Sequence, residues 1–387
     1  VVPRAGSAGD FSTFYYAALA FRRGLNPYDL AALTALADGT ELAPFIYPPA
    51  TLVLFVPFTW LPLGAAMLAW LGLKLVLAAV LVALWWGVFV GRTGMLALVA
   101  MTLFGFNAAL LMDLVTGNIS ILEQLLLWLA FACYIGERRR AFAFLVAIAS
   151  VSKLFPIVFL ALLLLPSKRN GPSPGVALAG LTLFAVVLLV PPGMAVQWGH
   201  GLAASTSVQR PAGEINPCAL GVFDTLLDPR WTHGGGGRVA LALWATYCTA
   251  LLVLSGRALR RTWMAKDPLQ WVVVGCMLFA LLSPRMMIYS WILPVVPALL
   301  LVRALFPPGV GRAAAITILV LQGLVVRALL RADYIQNVAA LPFAADVALS
   351  NLPFFLTLGL WLGFAAARWG TSGGAEGGLP GTLGVHP

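Results

Sequence analysis

The sequence predicts an all-α protein, a polytopic transmembrane bundle of about ten to eleven membrane helices with one broken hairpin among them. Three observations predict it. Hydrophobic residues make up 61% of the 387 and charged residues only 10%, with a mean hydropathy of +0.94; ordinary soluble domains carry about 25% charged residues. The apolar residues come in runs, several of them near the length of about 20 that a helix needs to cross a bilayer core. The Lys and Arg residues gather in short loops between those runs, the positive-inside pattern of membrane proteins. One water-soluble core could not hide so much apolar surface, so these side chains must face lipid or one another.

The elements follow in order. Residues 1–46 are polar and aromatic, with Asp10, Asp29, Asp38 and Glu41. The start Val1-Val2-Pro3 lacks an initiator Met, and the stretch after it is no signal peptide, which predicts a first span upstream of Val1. Residues 48–61 are apolar but short and broken by Pro48, Pro49 and Pro57, which predicts a helix lying at or dipping into the outer interface. Spans follow at about 64–90, 95–112 and 119–135. The region 141–165 has basic residues on both flanks, Arg138-Arg139-Arg140 and Lys168-Arg169, and is broken at Lys153 and Pro156. It is read as a hairpin of two short helices whose tip stays within the membrane, where non-helical backbone must be buried in protein or line a cavity. Later spans fall at about 175–190, 238–256, 268–282, 287–306, 313–331 and 352–367. The loop with Arg257, Arg260, Arg261 and Lys266, the loop with Arg312 and the tail after Arg368 are cytoplasmic by charge. Parity then puts 1–46, 113–118, 191–237, 283–286 and 332–351 outside. Residues 1–369 are read as one membrane domain and 370–387 as a flexible tail; the run Gly234–Gly237 is a linker, since no strand precedes it and no Gly-Lys-Ser/Thr follows.

Composition also excludes functions. The net charge is +10, but the basic residues form no stripe interleaved with aromatics, so no nucleic-acid partner is expected. Cys133, Cys218, Cys248 and Cys276 have no CxxC or metal spacing, and His200, His233 and His386 are far apart. No metal site and no cofactor are expected.

Chemistry can reside in few places. Asp10 opens Asp10-Phe11-Ser12-Thr13-Phe14-Tyr15-Tyr16-Ala17-Ala18. It is either a carboxylate that accepts a proton from a substrate hydroxyl or the N-cap of the apolar-periodic stretch behind it. Tyr15 and Tyr16 suit the interface. Gly24-Leu25-Asn26-Pro27-Tyr28-Asp29 follows, then Ile46-Tyr47-Pro48-Pro49, where Tyr47 faces a site or simply precedes a helix start with Pro in its first turn.

These residues carry a resemblance. The pattern D-F-x-x-[FY]-Y-x-A-A, then G-x-N-P-Y-D, then Y-P-P before apolar helices, resembles glycosyltransferase family 87, of the GT-C superfamily of polyprenyl-phosphate-sugar-dependent transferases. Gly117-Asn118 before a helix resembles the family's G-Q-x-N turn, with Asn118 and Ser120 as the polar positions. Lys153-Leu154-Phe155-Pro156 resembles its K-x-x-P, and Ser283-Pro284-Arg285 with Tyr289 its late S-P-R-x-x-x-Y. The resemblance implies a GT-C fold and a site on the non-cytoplasmic face. There Asp10 acts as base on a sugar, mannose or a relative, carried by a polyprenyl phosphate and passed to a glycolipid or glycan. Tyr15, Tyr16, Asn26, Tyr28, Tyr47, Asn118 and Tyr289 become candidate substrate contacts.

A glycosyl phosphate has a good leaving group, so one base suffices, and attack from the opposite face inverts the sugar carbon. The leaving phosphate needs cations in a low-dielectric place. Arg285 can donate bidentately or anchor a headgroup. Lys153, roughly 18 Å from the cytoplasmic side at 1.5 Å per helical residue, either binds phosphate or pairs with Glu123 or Asp113. Glu123 can also orient Asn118. Lys74 and Arg303 are read as snorkelling, Arg327 and Arg331 as interface anchors and His200 as a solvated loop histidine. Trp198, Trp231 and Trp291 are sugar platforms or ordinary interfacial tryptophans. A transporter or flippase is the competing reading, and a non-catalytic scaffold the third. Transporters carry paired broken helices in related halves, and one break is evident here.

Overall fold

The computed structural model describes residues 9–91, 94–167, 170–189, 191, 193–206, 216–227, 236–336 and 343–370. Val1–Ala8, Lys168, Arg169, Glu214, Trp231, His233, Gly234, Gly235 and the tail after Gly370 lie outside them, as do the side chains of Arg257, Arg261, Arg327, Arg331 and Arg368. The described residues form helices and no strand, and the chain is an all-α membrane protein. Among the described residues, three helices are long and apolar enough to cross a membrane: Leu63–Val90, Met95–Thr116 and Gly237–Gly256. Shorter apolar helices of 10–17 residues include Ser120–Ile135, Pro174–Leu188, Pro268–Leu282 and Leu352–Ala367. The chain falls into two compact units, Val1–Ala83 with Met112–Leu164 and Arg169–Arg210, and Leu84–Leu111 with Leu165–Lys168 and Pro211–Pro387.

The first unit begins with α1 (Asp10–Arg22). Its end is set by Gly24 at φ 72°, a left-handed residue that lets Leu25 N–H reach back to the Ala20 carbonyl at 2.9 Å. The face Phe11, Phe14, Tyr15, Ala18 is buried against Phe45, Phe55 and Trp70, with the Phe14 and Phe55 rings stacked at 4.5 Å; such ring pairs contribute about 0.5–1.5 kcal/mol beyond their area. In the loop after α1, Asn26 Oδ1 accepts from Tyr28 N–H and Asp29 caps α2 (Leu30–Leu36) by accepting from Ala31 N–H, each at 3.0 Å. α3 (Ala50–Phe55) starts just after Pro49 and passes into a 3₁₀ segment, Val56–Trp60, with Pro57 in its first turn.

α4 (Leu63–Leu84) continues into a π turn, Trp85–Val90. Its buried stripe is Ala66, Trp70, Lys74, Ala78 and Leu81, while Leu68, Leu75, Val76 and Val80 stay exposed. This is the 3.6-residue period of a helix that packs on one side and meets lipid on the other. α6 (Ser120–Ile135) packs along α7 (Arg139–Ser152).

The break expected at Lys153 is present, between two short arms that pack on each other. α7 stops at Lys153, whose backbone is extended, and a 3₁₀ segment runs from Phe155 to Leu164. At 1.5 and 2.0 Å per residue both arms are about 20 Å long, short of a bilayer core of about 30 Å. Their far ends are tied together. Arg139 donates to the Gly171 carbonyl and to Asn170 O at 3.1 Å, Ser173 N–H donates to Leu163 O at 2.7 Å, and Tyr134 Oη donates to Leu162 O at 3.1 Å. α8 (Pro174–Leu188) packs on both arms. The region expected as one long loop from 191 to 237 carries α9 (Met194–Thr206) in this unit and α10 (Ala219–Leu226) in the second.

The second unit differs from expectation in two spans. α5 (Met95–Thr116), read as one continuous helix, is broken at Gly105–Ala108, where Phe106, Asn107 and Ala108 take φ 50°, 58° and 52°. The break lies against α14 (Val310–Gln336). A Cβ on Gly323 of that helix would stand 2.4 Å from the Phe104 carbonyl oxygen, so only glycine admits the contact. The span expected at 287–306 is divided into a 3₁₀ segment, Ile288–Ile292, and α13 (Val295–Leu305), because Pro294 at the junction has no N–H to continue the ladder. α11 (Gly236–Ala265), α12 (Pro268–Leu282), α15 (Phe343–Ser350) and α16 (Leu352–Gly370) complete the unit. Trp361 Nε1 binds Ser255 Oγ at 2.8 Å between α16 and α11. Arg303 ends on the Val90 carbonyl at 2.8 Å, a bond within the protein where snorkelling is expected.

Candidate active site

The site forms where α1, the turn between α5 and α6, α4 and the hairpin tip meet in the first unit. Its centre is the turn Asp113–Ser120. Gly117 sits at φ 72°, and a Cβ there would come within 2.6 Å of Phe11 Cβ. A Cβ on Gly9 would come within 2.9 Å of the Thr116 carbonyl oxygen. These two glycines let the start of α1 lie directly on the turn, and Asp10 thereby reaches Asn118. Asn118 Nδ2 donates to Asp10 Oδ2 at 2.7 Å and to Tyr47 Oη at 2.9 Å, while its Oδ1 accepts from Ser120 Oγ at 2.9 Å and Ser120 N–H at 3.2 Å. Asn118 is fully buried, and each side of its carboxamide is used.

Asp10 is not the cap of α1. Gly9 occupies the cap position and Asp10 the first helical turn; its carboxylate turns to Asn118. It is half-buried. Burial raises its carboxyl above the ordinary carboxylate value, and the Asn118 hydrogen bond, then the Lys153 and Lys74 charges, pull it part of the way back.

Two cations stand behind this pair. Lys153, at the hairpin tip, donates to Ser120 Oγ and pairs with Glu123 at 3.3 Å. The tip also receives Thr51 Oγ1 on the Val151 carbonyl at 3.2 Å. Lys74 does not snorkel: it is 1% exposed, pairs with Asp113 Oδ2 at 2.8 Å and donates to the Asp113 carbonyl. Asp113 Oδ1 accepts from Ser120 N–H at 3.1 Å. Asp10, Asp113 and Glu123 therefore share a neighbourhood with two lysines. Among the described residues, Asp10 is the carboxylate of the three that is in no ion pair.

The other candidates sort by place. Tyr28 Oη donates to the Tyr47 carbonyl at 3.0 Å and so supports Tyr47 beside Asn118. Tyr15 donates to Leu61 O at 2.9 Å, and Tyr16 packs on Tyr15 at 5.3 Å between ring centres. Asn26 is exposed and serves its own turn. Trp198 Nε1 donates to Ile46 O at 3.1 Å, and His200 is exposed on α9. Trp291 is fully buried, donating to Met286 O and stacked on Phe106, so it is no platform for a sugar.

In the second unit Arg285 is exposed and Tyr289 half-buried. The segment bearing Arg285 is pinned on both sides. Asn216 Oδ1 accepts from Met286 N–H at 2.7 Å, Cys218 Sγ donates to Pro284 O at 3.3 Å, and Ser283 Oγ donates to the Arg285 carbonyl at 2.8 Å. Among the described residues no three His, Cys, Asp or Glu side chains gather as metal ligands.

From its own helix alone Lys74 reads as a snorkelling residue. The signal for its true place was the four-residue spacing Ala66, Trp70, Lys74, Ala78, which sets Lys74 on the buried face of its helix.

Residues 45–284 match glycosyltransferase family 87. No curated protein and no solved structure matches the chain. The family match takes in Tyr47, Lys74, Asp113, Asn118, Glu123 and Lys153, starts after Asp10 and stops just before Arg285. It covers more than half of the chain, which therefore belongs to that family and is a membrane glycosyltransferase.

Proposed function

We propose that the chain moves a sugar, mannose by the resemblance, from a polyprenyl phosphate to a glycolipid or glycan acceptor on the non-cytoplasmic face of a multi-pass bundle, with Asp10 as base. One observation carries this reading: three carboxylates and two lysines cluster, both lysines are paired, and Asp10 remains a carboxylate held by a neutral amide. A carboxylate locked to a cation is a weak base; one raised by burial and steered by a single donor is a better one.

In the reaction Asp10 takes the proton of the acceptor hydroxyl. The freed oxygen attacks the sugar's anomeric carbon from the face opposite the phosphate. The bond from that carbon to the phosphate oxygen breaks, and polyprenyl phosphate leaves with the electron pair. Configuration inverts once. Lys153, at the hairpin tip, and Arg285 are proposed to receive the charge that grows on the phosphate. Tyr47, Tyr28 and Asn118 hold the acceptor side, and Tyr15, Tyr16, Asn26 and Tyr289 are proposed as further substrate contacts.

The test is transfer from radiolabelled polyprenyl-phosphate sugars, run as a panel, by the purified chain in lipid vesicles. Transfer by the unaltered chain, and about 10²–10⁴-fold less by Asp10→Asn, is expected. Equal transfer by both refutes the base; no transfer from any lipid-linked donor refutes the donor class.

A further inference from the structure

Lys74 and Asp113 lie outside the steps just described, yet they hold the least explicable charge in the chain. Both are buried, at 1% and 0% exposure, on helices that carry no other charged residue. A buried ion pair seldom adds net stability over apolar residues of like volume, because desolvation consumes the attraction. What it can add is register. Here the register is readable. Trp70 and Lys74, one turn apart on α4, grip the two ends of one turn: Trp70 Nε1 donates to the Gly117 carbonyl at 2.8 Å and Lys74 holds Asp113. Asp113 in turn fixes the Ser120 N–H, and Ser120 holds the Asn118 carboxamide oxygen. That leaves the Asn118 Nδ2 aimed at Asp10.

We propose that Lys74 and Asp113 are positioning residues for sugar transfer, an ion pair that holds the Asp113–Ser120 turn so that the Asn118 carboxamide stays on Asp10. The pair touches no substrate. It rests on the reading of Asp10 as base.

The test uses the full chain in lipid vesicles with polyprenyl-phosphate mannose as the donor probe. The double replacement Lys74→Met with Asp113→Leu removes both charges at once and leaves no lone ion inside. The turnover number falls about ten- to a hundredfold, the size expected for losing one hydrogen bond to a charged group. The KM for donor changes far less. In an Asn118→Ala background the same double replacement costs nothing further, since the pair acts through that carboxamide. Losses that multiply in the combined variant overturn the proposal, as does unchanged turnover in the pairless chain. Should the pairless chain fail to fold, Lys74→Arg and Asp113→Glu keep both charges, displace the turn and carry the same cycle.

A readout without turnover separates this from the base assignment. Among the described residues, the groups facing Asp10 are Asn118, Lys153 and Lys74, with Glu123 and Asp113 behind the lysines. Infrared titration of an isotope-labelled Asp10 carboxyl, with Asp10→Asn as blank, should show its titration rising in the pairless chain, and rising less when Asn118 is already Ala. Equal rises in both backgrounds would remove Asn118 as the intermediary. If Asp10→Asn transfers sugar at full rate, the base assignment fails, and the titration still decides the positioning role.

Discussion

Asp10→Asn separates chemistry from architecture. Asn is the same size and keeps an oxygen that accepts from Asn118 Nδ2, the 2.7 Å bond of the native site. The carboxylate's basicity is lost. Removing a positioned general base costs about 10²–10⁴-fold in turnover, and that is the expected loss. The fold responds in the opposite sense. Burial raises the Asp10 carboxyl in the folded chain above its ordinary value, so between the two values the folded state binds more protons than the unfolded. Stability from this group is then greatest at low pH and is lost as pH rises from the unfolded value through the folded one. At neutral pH the native chain carries the cost of a partly dehydrated charge that Asn lacks. The variant should therefore melt no lower than the native chain at neutral pH, lose any advantage in acid, and retain donor binding. Melting curves at several pH values beside radiolabelled transfer read both quantities. A variant that melts far below the native chain at neutral pH refutes the reasoning, because its lost activity then reports lost structure.

Further outcomes follow from the same geometry. Lys153→Met should destabilise by about 3–5 kcal/mol, since Glu123 is left buried without its cation; Lys153→Met with Glu123→Leu should recover melting but not donor use, measured as donor KM. Gly117→Ala should cost about 1–3 kcal/mol, from a left-handed backbone that disfavours Ala, and more if Phe11 cannot yield; thermal unfolding in detergent reads it. Arg285→Ala should chiefly weaken donor use and leave melting unchanged, given its exposure; unchanged donor kinetics would remove it from the phosphate role.

Part of this was legible in the residues. Composition and basic loops point to an all-α membrane chain, because long continuous apolar runs suit helices and not the alternating strands of a barrel. The hairpin followed from two basic flanks around Lys153 and Pro156, a local conflict that one continuous helix cannot resolve. Asp10, Tyr47 and Asn118 stood out as polar residues at helix junctions, and the fold brings them together. What stayed hidden depends on contacts remote in sequence. Nothing near Lys74 names Asp113, 39 residues away. The break at Gly105–Ala108 needs Gly323 to make room, and Trp291 becomes core only once Phe106 lies on it. Periodicity reports which face is apolar and not which partner covers it.

The hairpin has a consequence for how the chain enters the bilayer during synthesis. Neither arm reaches across, and Arg139 ties their ends to Asn170 and Gly171. An arm of about 20 Å has no hold of its own on both faces of a core of about 30 Å, so the two arms keep their place as a pair. Asn170, Gly171 and Ser173 close the clasp from its C-terminal end, so the arms are joined only once the chain has been made past that point, whereas Lys153 meets Ser120 and Glu123 from a segment made before it.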